Sequence, residues 1–112
     1  MDLNEFKKVN DTYGHSMGDA LLVEIANRIS SCCLEDDILY RIGGDEFVAI
    51  THDIKQVEIY RDVVNKPFII NGIELKSSLS IGYSRFPDDG TTLDALIRIA
   101  DTKMYENKEL SR

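Results

Sequence analysis

Apolar positions along the chain change period several times, and each change marks an element. Over residues 17–32, Leu21, Leu22, Ile25, Ala26 and Ile29 recur at spacings of three and four, which places them on one face of an α-helix. Ser16 is positioned to cap that helix, with Asp19 three residues on completing an acidic capping box. Residues 5–12 fit a shorter helix that stops at Gly14. The runs 38–42 (ILYRI) and 46–51 (EFVAIT) predict two strands, and Gly43-Gly44 between them suits the positive φ angles of a tight hairpin. Helical spacing returns over 54–65 and ends before Pro67. Residues 67–71 and 73–86 read as two further strands joined at Asn71-Gly72. The last stretch, 92–108, predicts a helix with Leu93, Leu96, Ile97, Ala100 and Met104 on one side. Helix, hairpin, helix, hairpin, helix is the order of an α/β (α+β) fold with an antiparallel-rich sheet.

Length and charge narrow the function. The 112 residues make one domain. No apolar run exceeds four or five residues, so no bilayer-spanning segment is expected, and Asp2 with the charged stretch after it leads us to expect no secretory signal. A cytoplasmic location without membrane contact by this segment is expected, whatever anchor the parent protein carries. Thirteen basic against twenty acidic residues give a net charge of −7 with no basic run, so nucleic acid is not an expected partner. An acidic chain can still take a nucleoside triphosphate through a divalent metal held on carboxylates. Cys32 and Cys33 are adjacent, a poor geometry for a disulfide, and no CxxC spacing suggests zinc; they read as reduced structural thiols.

Two segments can carry chemistry. In Arg41-Ile42-Gly43-Gly44-Asp45-Glu46-Phe47 a pair of carboxylates follows a glycine turn, where a large ligand can approach the backbone. Such a pair can hold Mg²⁺ or take a proton, although Gly-Gly-Asp is also ordinary turn material. In the segment from Asp2 to Asp11 a carboxylate at a strand end precedes a cation, Lys7, and an amide, Asn10. With Asp19, Asn10 can read a guanine edge: the carboxylate accepts from N1–H and N2–H, and the amide meets O6 or N7. Taken singly, either residue serves equally as a helix cap.

Together these segments resemble the GGDEF family, the diguanylate cyclases. Gly43-Gly44-Asp45-Glu46-Phe47 spells the family motif unchanged, with Arg41 at the usual spacing before it. Asp2 to Asp19, including Tyr13-Gly14-His15 and Gly18-Asp19, resembles the metal-and-guanine segment. Ala100-Asp101, Met104-Tyr105, Lys108 and Arg112 resemble the final helix motif. The resemblance covers essentially the whole chain. It implies a nucleotidyl-cyclase or palm-like fold with a central mixed sheet flanked by helices, and condensation of two GTP into cyclic di-GMP and two pyrophosphates. Two metal ions, Mg²⁺ with Mn²⁺ as the alternative, would sit between Asp2, the Leu3 carbonyl and Glu46, with Asp45 beside them. Asp45 or Glu46 would help deprotonate the ribose 3′-hydroxyl. Asn10 and Asp19 would read guanine, while Lys7, Lys108, Arg112 and the backbone N–H groups near Glu5 and Phe6 would meet phosphates. Most helical lysines are merely solvated, and the rings of Phe6, Tyr105 and Phe47 are expected in the core. His15 is expected in a hydrogen-bonded structural role and His52 at the surface.

The same resemblance predicts departures. Asn4 stands where a second aspartate is often found. Leu34-Glu35-Asp36-Asp37 occupies the place of the inhibitory product site, Arg-x-x-Asp, with leucine for arginine, so product inhibition through it is expected to be absent. The family's opening helix segment and final strand are missing from these 112 residues, which predicts a piece of a longer protein with a sensory or regulatory domain. An active cyclase working as a homodimer is one expectation. A catalytically inactive GTP-binding regulatory module is the second, and a pure interaction domain the third.

Overall fold

Two helices meet at Gly14. In the computed structural model, which describes residues 1–110 with side chains through Glu106, α1 (Phe6–Tyr13) and α2 (His15–Cys32) share this glycine as C-cap and N-cap. Its φ of 93° is a conformation other residues resist, and its N–H donates to the Asn10 carbonyl at 2.8 Å. The expected cap is therefore corrected. Ser16 and Asp19 lie inside α2, because the glycine already turns the chain and leaves Ser16 helical. The apolar face of α2 is as predicted: Leu21, Leu22, Ile25 and Ile29 are buried.

A short strand, β1 (Asp2–Leu3), lies in the middle of a four-stranded sheet in the order β2-β3-β1-β6, formed with β2 (Ile38–Gly43), β3 (Glu46–Ile50) and β6 (Leu79–Ser80). Every pairing is antiparallel. Leu3, Phe47 and Leu79 join the buried face of α2 in one hydrophobic core, and Phe47 is buried as expected. The β2–β3 hairpin forms, but not on a two-glycine turn. Gly43 stays in β2 opposite Glu46 after a register shift, and only Gly44 takes a positive φ, 47°.

Helix α3 (Gln56–Asn65) is shorter than the predicted 54–65. Arg28 pins its end to α2, its guanidinium donating to the carbonyls of Val63, Lys66 and Pro67 and stacking on Phe68. The predicted strand 73–86 is broken. Its first residues form β5 (Ile73–Leu75), which pairs with β4 (Phe68–Ile70) in a separate two-stranded sheet through Asn71 and Gly72, both at positive φ. Its middle crosses to the main sheet as β6, and residues 81–86 are not strand. The sequence run hides this change of sheet because both pieces carry apolar residues.

Helix α4 (Leu93–Leu110) packs on β6. Gly82 lets it approach: a side chain there would overlap the Ala100 carbonyl oxygen and crowd the Met104 N–H. Two expectations for this helix fail. Leu93 is 49 % exposed and Tyr105 is 64 % exposed. No helix among the described residues is long and apolar enough to cross a membrane.

A polar cluster closes the far end of β2. The Asp37 Oδ2 accepts from the Leu34 N–H at 3.0 Å, the Gln56 amide at 2.9 Å and the Tyr60 hydroxyl at 2.6 Å. Gln56 is 2 % exposed and also donates to the Cys32 carbonyl. Both thiols, Cys32 and Cys33, are free, as expected. Burial pulls the Asp37 carboxyl up, but hydrogen bonds from Thr51, Tyr60, Leu34 and Gln56 outweigh it and hold the group at about 2.

Candidate active site

The sheet brings the acidic residues of two distant segments together. Asp2 in β1 stands directly opposite Glu46 in β3 and opposite Ser80 in β6, so the three share one face of the sheet. Backbone bonds fix the arrangement: the Leu3 N–H donates to the Asp45 carbonyl at 3.1 Å, and the Phe47 N–H to the Met1 carbonyl at 2.8 Å. Asp45 sits in the turn, and Asp45 and Glu46 are both half-buried. Asn4 lies beside this row, donating to Ser78 Oγ and accepting from Ser80 Oγ. It therefore ties β1 to β6 where a second carboxylate was the alternative.

One more carboxylate joins the row. Asp101 of α4 bonds to Glu46. Burial first, then the charge of Asp101, its hydrogen bond and the charge of Asp2, push the Glu46 carboxyl above its ordinary range, against the pull of the amino terminus. Asp101 was not among the expected site residues. The signal was present: it is the acidic residue of the final-helix motif, next to Ala100.

The acidic row suits a hard cation. Among the described residues no three His, Cys, Asp or Glu side chains are grouped to hold a metal by themselves. Magnesium does not require such a cage: it is usually bound by one or two carboxylates plus substrate phosphates. Asp2, Glu46 and the Leu3 carbonyl match that donor set. Burial and the neighbouring Asp101 and Asp2 raise Glu46, and the amino terminus offsets them only in part.

The other expected residues distribute around this row. α1 begins without a side-chain cap and has no acidic residue in its first turn, so its N-terminal N–H groups, starting at Phe6, are open to an anion. Lys7 is exposed beside them. The Phe6 ring packs against the core, as expected. The Asn10 Oδ1 is buried without a partner. Asp19 is exposed and lines an open cavity of about 520 Å³ between α2 and β2, opposite Leu39, Tyr40 and Arg41. Tyr40 was not foreseen here, and its hydroxyl is likewise buried without a partner. His52 is exposed as expected; His15 is exposed too, against its expected structural role. Lys108 and Arg112 lie outside the residues whose side chains are described.

Known proteins match this chain along its whole length. The family model for the diguanylate cyclase GGDEF domain matches residues 1–112. The cyclic di-GMP phosphodiesterase PdeR of Escherichia coli is 41 % identical over 118 residues, covering 100 % of this chain and 18 % of that protein. The bifunctional diguanylate cyclase/cyclic di-GMP phosphodiesterase MucR of Pseudomonas aeruginosa is 38 % identical, covering 100 % of this chain and 17 % of its own length. This chain thus spans less than a fifth of either relative. Among solved structures, the GGDEF domain of YfiN (TpbB) from Pseudomonas aeruginosa superposes with a TM-score of 0.91 at 32 % identity, over 97 % of this chain and 73 % of that one. The family model spans the whole chain and a solved fold of that family superposes on nearly all of it, so the chain belongs to the GGDEF domain family.

Proposed function

We infer that this chain is a diguanylate cyclase domain, condensing two GTP into cyclic di-GMP and two pyrophosphates. The observation that carries the reading is the pairing of Asp2 with Glu46, which sets carboxylates from two segments beside the glycine turn that holds Asp45. Bound Mg²⁺, or Mn²⁺ in its place, would neutralise the triphosphate and polarise the α-phosphate. Asp2, Glu46 and the Leu3 carbonyl are the groups that would hold it.

The remaining work falls to the chain itself. Asn10 and Asp19 orient the guanine, and the N-terminal N–H groups of α1, with Lys7, Lys108 and Arg112, take the phosphates. The 3′-hydroxyl of one GTP attacks the α-phosphorus of the other, its proton passes to Asp45 or Glu46, and pyrophosphate leaves. Neighbouring carboxyls titrate together, so the proton belongs to the pair. The second bond forms by the same step with the nucleotides exchanged. One chain offers one such site, so the reaction needs two copies face to face. In the parent protein a sensory or regulatory domain would control that encounter.

A second reading has its own support. The 41 % identical relative PdeR is named as a phosphodiesterase. A GGDEF unit within such a protein can bind GTP as a regulator without turning it over. Incubation with GTP and Mg²⁺ followed by chromatography separates the two. Cyclic di-GMP and pyrophosphate, lost in Asp2→Ala and Glu46→Gln, support the cyclase. GTP bound but recovered intact supports the regulatory module. A failure to bind GTP at all overturns both.

A further inference from the structure

The seat of the Asn10 amide reveals a role for Gly18. Gly18 is buried in α2, one turn from the Gly14 junction, facing α1. An ideal Cβ at this position would overlap Asn10 Oδ1, fall 2.9 Å from Asn10 Cγ and 3.3 Å from Phe6 Cζ. The Asn10 Oδ1 thus lies against the bare α-carbon of Gly18, buried and without a hydrogen-bond partner. This orientation is the better of the two available. A carbonyl oxygen tolerates a Cα–H contact, whereas the NH₂ group placed there would lose two donors. Asn10 is half-buried, and its oxygen is the end that is shut in. The next residue in the chain, Asp19, is exposed and offers acceptors only.

We propose that Gly18 is the positioning residue for base selectivity: the space it leaves fixes the Asn10 amide with its donor outward, beside the acceptor Asp19. A donor and an acceptor set in that order fit O6 and N1–H of guanine. Adenine presents an amine where the donor points and no N1–H to the acceptor. The three nearest atoms that a Cβ would meet all belong to the side chains of Asn10 and Phe6, so alanine at this position displaces the Asn10 amide and does not require the backbone of α1 to move. Alanine is also the better helix former. Selectivity and stability therefore respond in opposite directions.

The inference rests on the guanine-nucleotide reading and is tested separately from it. The probes are 3′-deoxy-GTP and 3′-deoxy-ATP with Mg²⁺, which lack the attacking hydroxyl and so only bind. Titration calorimetry on the full chain is expected to show a preference for the guanine nucleotide. In Gly18→Ala that affinity falls about tenfold, as for one lost or misaligned hydrogen bond, while the adenine nucleotide stays within about twofold. The melting temperature holds or rises. In an Asn10→Ala background the Gly18→Ala change has no further effect on the ratio. The Asn10 side-chain amide pair in a ¹⁵N–¹H spectrum of the ligand-free protein shifts in Gly18→Ala. An unchanged nucleotide ratio, additive single effects or a lowered melting temperature would each overturn the assignment to Gly18. No guanine preference in the unmodified chain would overturn the parent reading.

Discussion

Asp37 and Glu46 sit at opposite ends of the β2–β3 hairpin and in opposite circumstances. Asp37 is surrounded by donors from Leu34, Gln56 and Tyr60, which hold its carboxyl at about 2. Glu46 is surrounded by acids, and burial with Asp101 and Asp2 drives it upward. The fold supplies one carboxylate with donors and leaves the other with its own kind. A polar group whose needs are met inside the chain holds structure together; one whose needs are unmet is arranged for a visitor.

The largest effect expected from this contrast is on turnover. Glu46→Gln keeps the shape of the side chain and removes its charge. Losing a metal-binding carboxylate should lower cyclic di-GMP formation by ~10³-fold or more, by analogy with the loss of other transition-state charge stabilisers. Stability should stay level or rise, because an ionised Glu46 beside Asp101 and Asp2 is a burden on the folded state. Thermal unfolding at neutral pH, run beside the turnover assay, checks both halves. A melting temperature several degrees lower would mean that Glu46 is structural after all.

Asp37→Ala should show the reverse pattern. It strips the Tyr60 hydroxyl and the buried Gln56 amide of their shared acceptor. The expected cost is ~2–3 kcal/mol, as for breaking a buried charge-assisted network. That corresponds to a melting temperature lower by ~10–15 °C for a chain of this size. Turnover per folded molecule should be little changed, and denaturant titration with active-site counting separates the two.

Acid pH should divide the pair again. Asp37 binds its proton more weakly folded than unfolded, so its contribution is complete above about pH 4 and is lost as pH falls toward 2. Glu46 has the opposite sign. Its carboxyl is raised in the folded state, so protonation relieves the crowding and stability declines as pH rises through its titration. Melting temperatures from pH 2 to pH 8 should show a weakened acid limb in Asp37→Asn and a flattened upper slope in Glu46→Gln. Identical profiles in the two variants would remove the distinction between the sites.

How much of this could be read from the letters follows from the range of each signal. The α2 face and the Asn71-Gly72 turn rest on local spacing and turn chemistry, and they appear where the pattern placed them; the first hairpin forms too, with its turn one residue later at Gly44-Asp45. The break in 73–86 did not, because β5 and β6 are both apolar and only pairing partners distant in sequence separate them. The meeting of Asp2 and Glu46 was legible through resemblance, not periodicity. Asp101 was passed over as helix motif because its nearness to Glu46 depends on Gly82 letting α4 settle onto β6. Gly18 shows no special dihedral, so only the packing of Asn10 against it exposes its use.

The smallest expected effect concerns product feedback, and it turns on Asp37 once more. In Arg-x-x-Asp members of the family, the aspartate of this segment helps bind inhibitory product; here Leu34 replaces the arginine. Restoring Leu34→Arg would supply a guanidinium, yet Asp37 already accepts from three donors within the chain. Turning it outward to a ligand would forfeit those bonds. Added cyclic di-GMP should therefore leave the initial rate unchanged at concentrations too low to compete with GTP, in the unmodified chain and in Leu34→Arg alike. Inhibition that appears in the unmodified chain and vanishes in Asp37→Ala would show that this carboxylate serves a ligand. It would then have to be grouped with Glu46, despite every internal bond it makes.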